Sequence, residues 1–153
     1  MNRNLEGHRG SLLISTDRGL LDLDAICGFL SRSYWAHARP RERVEASLRH
    51  SLVFGVFDGK RQVGMARIVT DYTTFAWLCD VFVDERYRGK GIGKWLMATI
   101  LDHPRLAGLR RILLATRDAH GLYRQFGFVD LNAPERWMER LVPYPESRAR
   151  TRA

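Results

Sequence analysis

Apolar residues in this chain recur at two periods, and the switches between them mark out the elements. Leu12-Leu13-Ile14 is a short apolar run that predicts a first strand over Ser11 to Ser15. Leu23, Ile26, Cys27, Phe29 and Leu30 recur at helical spacing, with Asp17 or Asp22 placed to cap that helix. Ser31 to Arg39 mixes polar and aromatic side chains and reads as a loop. Pro40 suits the first turn of a second helix, Arg41 to His50. Leu52 to Phe57 predicts a strand, and Asp58-Gly59 is a tight-turn signal. Gln62 to Thr70 then pairs back, and Phe75 to Val83 follows as the third strand of an antiparallel meander.

The second half continues the alternation. Gly93 to Asp102 predicts an amphipathic helix, with Pro104 and Gly108 in the loop beyond it. Arg111 to Thr116 is a continuous apolar strand of the kind buried on both faces. Asp118 is a good N-cap for a short helix, His120 to Phe126, which Gly127 ends before Phe128-Val129 resumes extended chain. Arg136 to Leu141 alternates and reads as a last strand. The expected class is α/β (α+β), with a mixed, mostly antiparallel central sheet of about seven strands flanked by about four helices.

With 153 residues, one domain is favoured. No apolar run is long enough for a membrane span, and the N-terminus has no signal-peptide segment, so a soluble, cytoplasmic protein is expected. Cys27 and Cys79 each sit in an apolar pattern and read as free thiols; no His/Cys cluster has metal spacing. The net charge is +8, and three arginines of it lie in Ser147 to Ala153. The expected boundaries are a flexible N-terminus at 1–10, a folded domain at 11–142 and a basic, disordered tail at 143–153. A basic balance fits nucleic acid, an anionic small molecule or simple solubility. Solubility with an anionic cofactor is favoured, and nucleic acid is not expected.

The most telling stretch is Arg88-Gly89-Lys90-Gly91-Ile92-Gly93, set between a predicted strand and a predicted helix. Such a turn aims several backbone N–H groups at one point, backed by the positive helix end, and so suits phosphate. It is not a P-loop: Gly89 and Gly93 are one residue too close, and Trp95 stands where a Ser or Thr would bind magnesium. It is not a dinucleotide fingerprint either, since an antiparallel meander precedes it. The pattern [QR]xxGx[GA] fits at Arg88, Gly91 and Gly93, and with Val83 to Tyr87 leading in, it resembles motif A of the GNAT family of N-acetyltransferases. Ala119-His120-Gly121-Leu122-Tyr123, continuing to Gly127-Phe128, resembles motif B of the same family. The resemblance covers nearly the whole chain from Leu12 to about Leu141.

The resemblance implies a GNAT fold and acetyl-CoA as acyl donor. Its pyrophosphate would lie on the N–H groups of Arg88, Gly89, Lys90, Gly91, Ile92 and Gly93. Its pantetheine arm would pair with the backbone of Val81, Phe82 and Val83, where strands splay apart. Tyr123 matches the family's usual general acid for the leaving thiolate. The histone-acetylating branch carries its glutamate base where Trp77 stands here, which points away from that branch and toward a small-molecule amine. Asp80 is the nearest carboxylate inside the strand, either a base or tied by hydrogen bonds to backbone or to Arg67; His120, Asp118 and a water relay are the other candidates. Thr116 stands where many members carry an Asn that bonds pantetheine. Tyr34, Trp35 and Arg67 are expected to line the acceptor groove. Acidic lining would admit a cationic amine, and Arg39 or Arg67 reaching the groove would admit an acidic one. The expected reaction is direct attack in a ternary complex; the competing reading is an acyl-CoA-binding module without turnover. The resemblance also allows a homodimer through the last strands.

Overall fold

The protein was described from a computed structural model, which covers residues 3–144. One six-stranded sheet runs in chain order: β1 (Glu6–Arg9), β2 (Leu12–Ser15), β3 (Leu52–Asp58), β4 (Arg61–Thr70), β5 (Phe75–Val83) and β6 (Arg111–Leu113). Neighbours are antiparallel except β6, which lies parallel to β5. Four helices pack around it: α1 (Leu23–Ser31), α2 (Arg41–Arg49), α3 (Ile92–Leu101) and α4 (His120–Arg124).

The sheet separates two cores. On one side α3 buries Ile92, Leu96, Met97 and Ile100 against Phe54, Val56, Ala66, Ile68, Ala76 and Leu78. On the other, α1 and α2 bury Ile26, Leu30, Val44 and Leu48 against Val53 and Met65. Neighbouring residues on β3 and β4 therefore face different cores, as a period of two requires. Both proposed caps are used. Asp22 accepts from Ala25 N–H at the start of α1, and Asp17 accepts from Gly19 N–H in a short 3₁₀ turn just before it.

The structure corrects four expectations. Residues 6–9, expected in a flexible N-terminus, form β1 and pair with β2 from Glu6↔Ser15 to Arg9↔Leu12. Arg136 to Leu141 does not form a strand; a 3₁₀ turn at Pro134–Arg136 is followed by irregular chain. There Trp137 takes the Arg111 guanidinium on its ring face at 5.1 Å, while Met138 is 98% exposed. The alternation had an apolar side, but nothing on the sheet covers it. Consequently β6 is an edge strand, shorter than expected and only half-buried. Asp118 does not cap α4; Thr116 Oγ1 accepts from Ala119 N–H at 3.0 Å instead. The basic tail from residue 145 onward lies outside the described residues. Among the described residues, no helix is long and apolar enough to cross a membrane.

Candidate active site

The glycine-rich turn follows directly from the end of β5. Asp84 caps a 3₁₀ turn at Glu85–Tyr87, and Arg88 Nε donates back to the Val83 carbonyl at 3.2 Å. Gly89 and Gly91 then take positive φ, +76° and +75°, which side-chain-bearing residues reach only with strain. Gly91 is the N-cap of α3. From Gly89 to Lys94 no backbone N–H has a protein partner among the described residues; the first α3 bond to the cap runs from Trp95 N–H to the Gly91 carbonyl. These donors, together with the α3 dipole, make an anion-binding concavity. Arg9 adds positive charge from β1. Its guanidinium lies over the Trp95 ring at 4.8 Å, and its Nη1 comes within 3.9 Å of where a Gly91 Cβ would stand.

Next to the turn the sheet opens. β5 and β6 pair only from Phe75↔Arg111 to Trp77↔Leu113, and β5 then runs on alone to Val83 on that side. Val81, Phe82 and Val83 therefore present backbone to a cleft rather than to a neighbouring strand. On β5's other side the ladder to β4 is interrupted: Ala66 alone faces both Asp80 and Val81, and Asp80 sits at φ +51°. Such a bulge bends and twists its strand, here a few residues beyond the point where β5 and β6 cease to pair.

Two cavities occupy the opening. The larger, about 1110 Å³, is bounded by Val81 to Val83, Arg88 and Gly93. The smaller, about 630 Å³, is bounded by Arg39, Arg67, Trp77, Cys79 and Asp80. Tyr34, Trp35, Val81, Asp118 and Tyr123 line both, so the cavities meet there. Tyr123 is buried, and burial, with Tyr34 adding to it, pushes its phenol up to about 12.

Asp80 anchors the smaller cavity. Its Oδ2 accepts from Arg39 Nη1 at 2.7 Å and from Arg67 Nε at 2.8 Å, and its Oδ1 accepts from Trp35 Nε1 at 2.9 Å. Burial pushes the Asp80 carboxyl up, but the hydrogen bonds and charges of Arg39 and Arg67 outweigh it and hold the group below the usual carboxylate range. Arg67 also donates to Ser51 Oγ, and Arg39 to the Tyr144 hydroxyl. Trp35 meets Tyr34 edge-on at 5.0 Å, and the Tyr34 hydroxyl accepts from Arg117 N–H at 2.9 Å. The loop between α1 and α2 is thereby fastened to β5 on one side and to the segment before α4 on the other.

The comparisons bear on what such a site does. The model of the acetyltransferase (GNAT) family matches residues 21–128, which include both the glycine turn and Tyr123. The chain belongs to the GNAT family of acetyltransferases. It is similar to a crystal structure from Xanthomonas campestris pv. campestris whose description assigns it to the same family. The two are 46% identical, with a TM-score of 0.86 over 92% of this chain and 99% of that one. A Gibberella zeae protein whose name assigns it to the acetyltransferases is 33% identical, covering 75% of this chain and 77% of that one. The Bacillus subtilis spermine/spermidine N(1)-acetyltransferase is 40% identical over 57 residues, 34% of this chain. This acetyltransferase is accordingly an acyl-transferring enzyme.

Within the GNAT frame, most of the singled-out residues come together. Arg88 to Gly93, Val81 to Val83, Tyr123, Tyr34, Trp35 and Arg67 all border the two joined cavities or the turn at their mouth. Asp80 is among them, but not as a free base: both its oxygens already accept from ion-pair or indole donors. His120 borders a separate cavity beneath α4. Asp71 is turned into its own loop, where the Thr74 hydroxyl and the Thr74 and Thr73 N–H groups depress its carboxyl. Sequence reasoning missed Arg9, Ser51 and Tyr144 altogether. Arg9 carried no signal because β1 has no apolar face, and the other two meet their partners only through the tertiary fold.

Proposed function

We propose that this enzyme moves an acetyl group from acetyl-CoA to a primary amine of a small molecule, by direct attack in a ternary complex. The observation that carries the reading is the junction at Val81 and Tyr123. A cleft with an anion-binding mouth meets there a second cavity of a size that suits a small molecule.

The N–H groups from Gly89 to Gly93 hold the pyrophosphate, and the backbone of Val81 to Val83 runs along the pantetheine arm. The amine nitrogen, entering from the smaller cavity, attacks the thioester carbonyl carbon. A backbone N–H of this part of β5 stabilises the oxyanion that forms. The C–S bond then breaks, and Tyr123 gives its proton to the thiolate. The amine proton leaves through Asp118, the carboxylate that lines both cavities and bonds no protein donor among the described residues. The state of the cavity's thiol favours direct attack over a covalent acyl-enzyme. Cys79, the thiol in the cavity, is pushed up to about 11 by burial, against the pull of Arg67. A homodimer is the assembly that the exposed apolar side chains of Met138, Leu141 and Val142 would serve.

Free-thiol release from acetyl-CoA across an amine panel tests the reading. Initial-rate lines for the two substrates should intersect, as a ternary complex requires; parallel lines would point to an acyl-enzyme and overturn the direct attack.

A further inference from the structure

The smaller cavity has a charge pattern that selects among amines. Its deep end holds two guanidiniums and one carboxylate. Arg39 and Arg67 side chains are 12% and 13% exposed, and Asp80 is 1% exposed. Each guanidinium spends only part of its fork on the protein. Arg39 uses Nε and Nη1, on Tyr144 and Asp80, and Arg67 uses Nε and Nη1, on Asp80 and Ser51. Neither Nη2 has a protein partner among the described residues. No buried side-chain nitrogen or oxygen among those residues lacks a partner, so neither Nη2 is sealed in the interior, and both arginines line the cavity. Asp80 cancels one of the two charges, which leaves the deep end positive by one. The other carboxylate of the cavity, Asp118, is exposed and stands at the junction with the larger cleft beside the exposed Arg117, whose guanidinium is held over the Tyr34 ring at 3.9 Å.

We propose that the acceptor is an amine that also carries an anionic group, a carboxylate or a phosphate, at its far end. The anionic group docks on the Nη2 groups of Arg39 and Arg67, whose planar forks suit such oxygens. The amine end then faces Asp118 and Tyr123, next to the thioester. A polyamine fits this polarity badly, because its distal ammonium would have to lie against two guanidiniums. The inference rests on the acetyl-transfer reading and names the substrate class for that same site.

The experiment is thiol release from acetyl-CoA by the wild-type full chain. Its arms are α- and ω-amino acids, the same compounds with the carboxylate amidated, an aminoalkyl phosphate, and spermidine. The acids should exceed their amides by about tenfold or more in kcat/KM, the size expected for a charge-assisted contact. The phosphate arm tells which anion is preferred. Arg67→Gln should shrink the acid-to-amide ratio while acetyl-CoA affinity, measured by calorimetry, is retained. The wild-type ratio stands as the test even if that variant does not fold. Equal rates on acid and amide, or a preference for spermidine, would overturn the inference and leave acetyl transfer intact. Thiol release with none of the amines would sink the transfer reading and this inference with it.

Discussion

Tyr123 and Asp80 stand close in the site but have opposite relations to protons. Tyr123 keeps its proton: with the phenol pushed up to about 12, it remains an acid throughout the working range. Tyr123→Phe should therefore lower kcat by about 10²-fold or more with KM for acetyl-CoA little changed. The wild-type profile should show no alkaline loss of rate below roughly pH 10. An unchanged kcat would remove the phenol from the reaction. Asp80 keeps its charge. Its folded pKa is depressed, so its contribution to stability is complete above the unfolded value of about 3.9 and is lost as pH falls through the lower folded value. Asp80→Asn would leave Arg39 and Arg67 without their shared carboxylate and should cost about 3 kcal/mol in urea unfolding at neutral pH. That loss should shrink on acidification toward the folded value. A variant as stable as wild type but inactive would restore Asp80 to the role of base. The sequence marked an acid in an apolar strand as needing a purpose, and offered Arg67 as one partner. It could not offer the full set, because Arg39 and Trp35 are 41 and 45 residues away and meet Asp80 only once the loop folds over β5.

Among the elements, those with a strong local code were legible. The meander of β3, β4 and β5 follows from apolar runs and the Asp58-Gly59 turn, and α3, expected from Gly93, begins one residue earlier at Ile92. β1 was invisible, since Glu6-Gly7-His8-Arg9 offers only one partly buried position and is held by backbone pairing to β2. The strand expected at Arg136 to Leu141 failed for the converse reason: alternation is necessary for a half-buried strand, yet it forms none without a surface to cover. The glycine turn lends itself to a direct test. Gly91→Ala places a side chain at φ +75° and should cost about 1 kcal/mol of stability. It should also raise KM for acetyl-CoA more than it lowers kcat. Gly64 is restricted on the opposite side of β5, where a Cβ would stand 2.9 Å from the Phe82 carbonyl oxygen. Gly64→Ala should displace the cofactor-facing end of β5, and equilibrium dialysis of acetyl-CoA would register weaker binding.

For the whole molecule, the sheet separates the two cores and splays at one end. α3 is seated by Leu96 and Met97 in one core, the α1–α2 pair by Ile26 and Val44 in the other, and the cleft lies where β5 leaves β6 between them. The fold family and the glycine-rich turn at the start of α3 could be read from sequence because both depend on local spacing. The polarity of the acceptor cavity could not, because it depends on which charges cancel in three dimensions. Static light scattering should give the mass of two chains if the exposed segment from Trp137 to Val142 serves as a dimer surface, and Met138→Asp with Leu141→Asp should return it to one. A single-chain mass for the wild type would dismiss that assembly. In the proposed mechanism acetyl-CoA lies across the splayed end of β5, and a crystal structure of the complex tests that placement most directly. The expected result has the pyrophosphate on the N–H groups of Gly89 to Gly93 and the thioester sulfur within hydrogen-bond reach of the Tyr123 hydroxyl, with the acetyl group facing Arg39, Arg67 and Asp80. A thioester seated away from Tyr123, or a pyrophosphate held elsewhere, would contradict it.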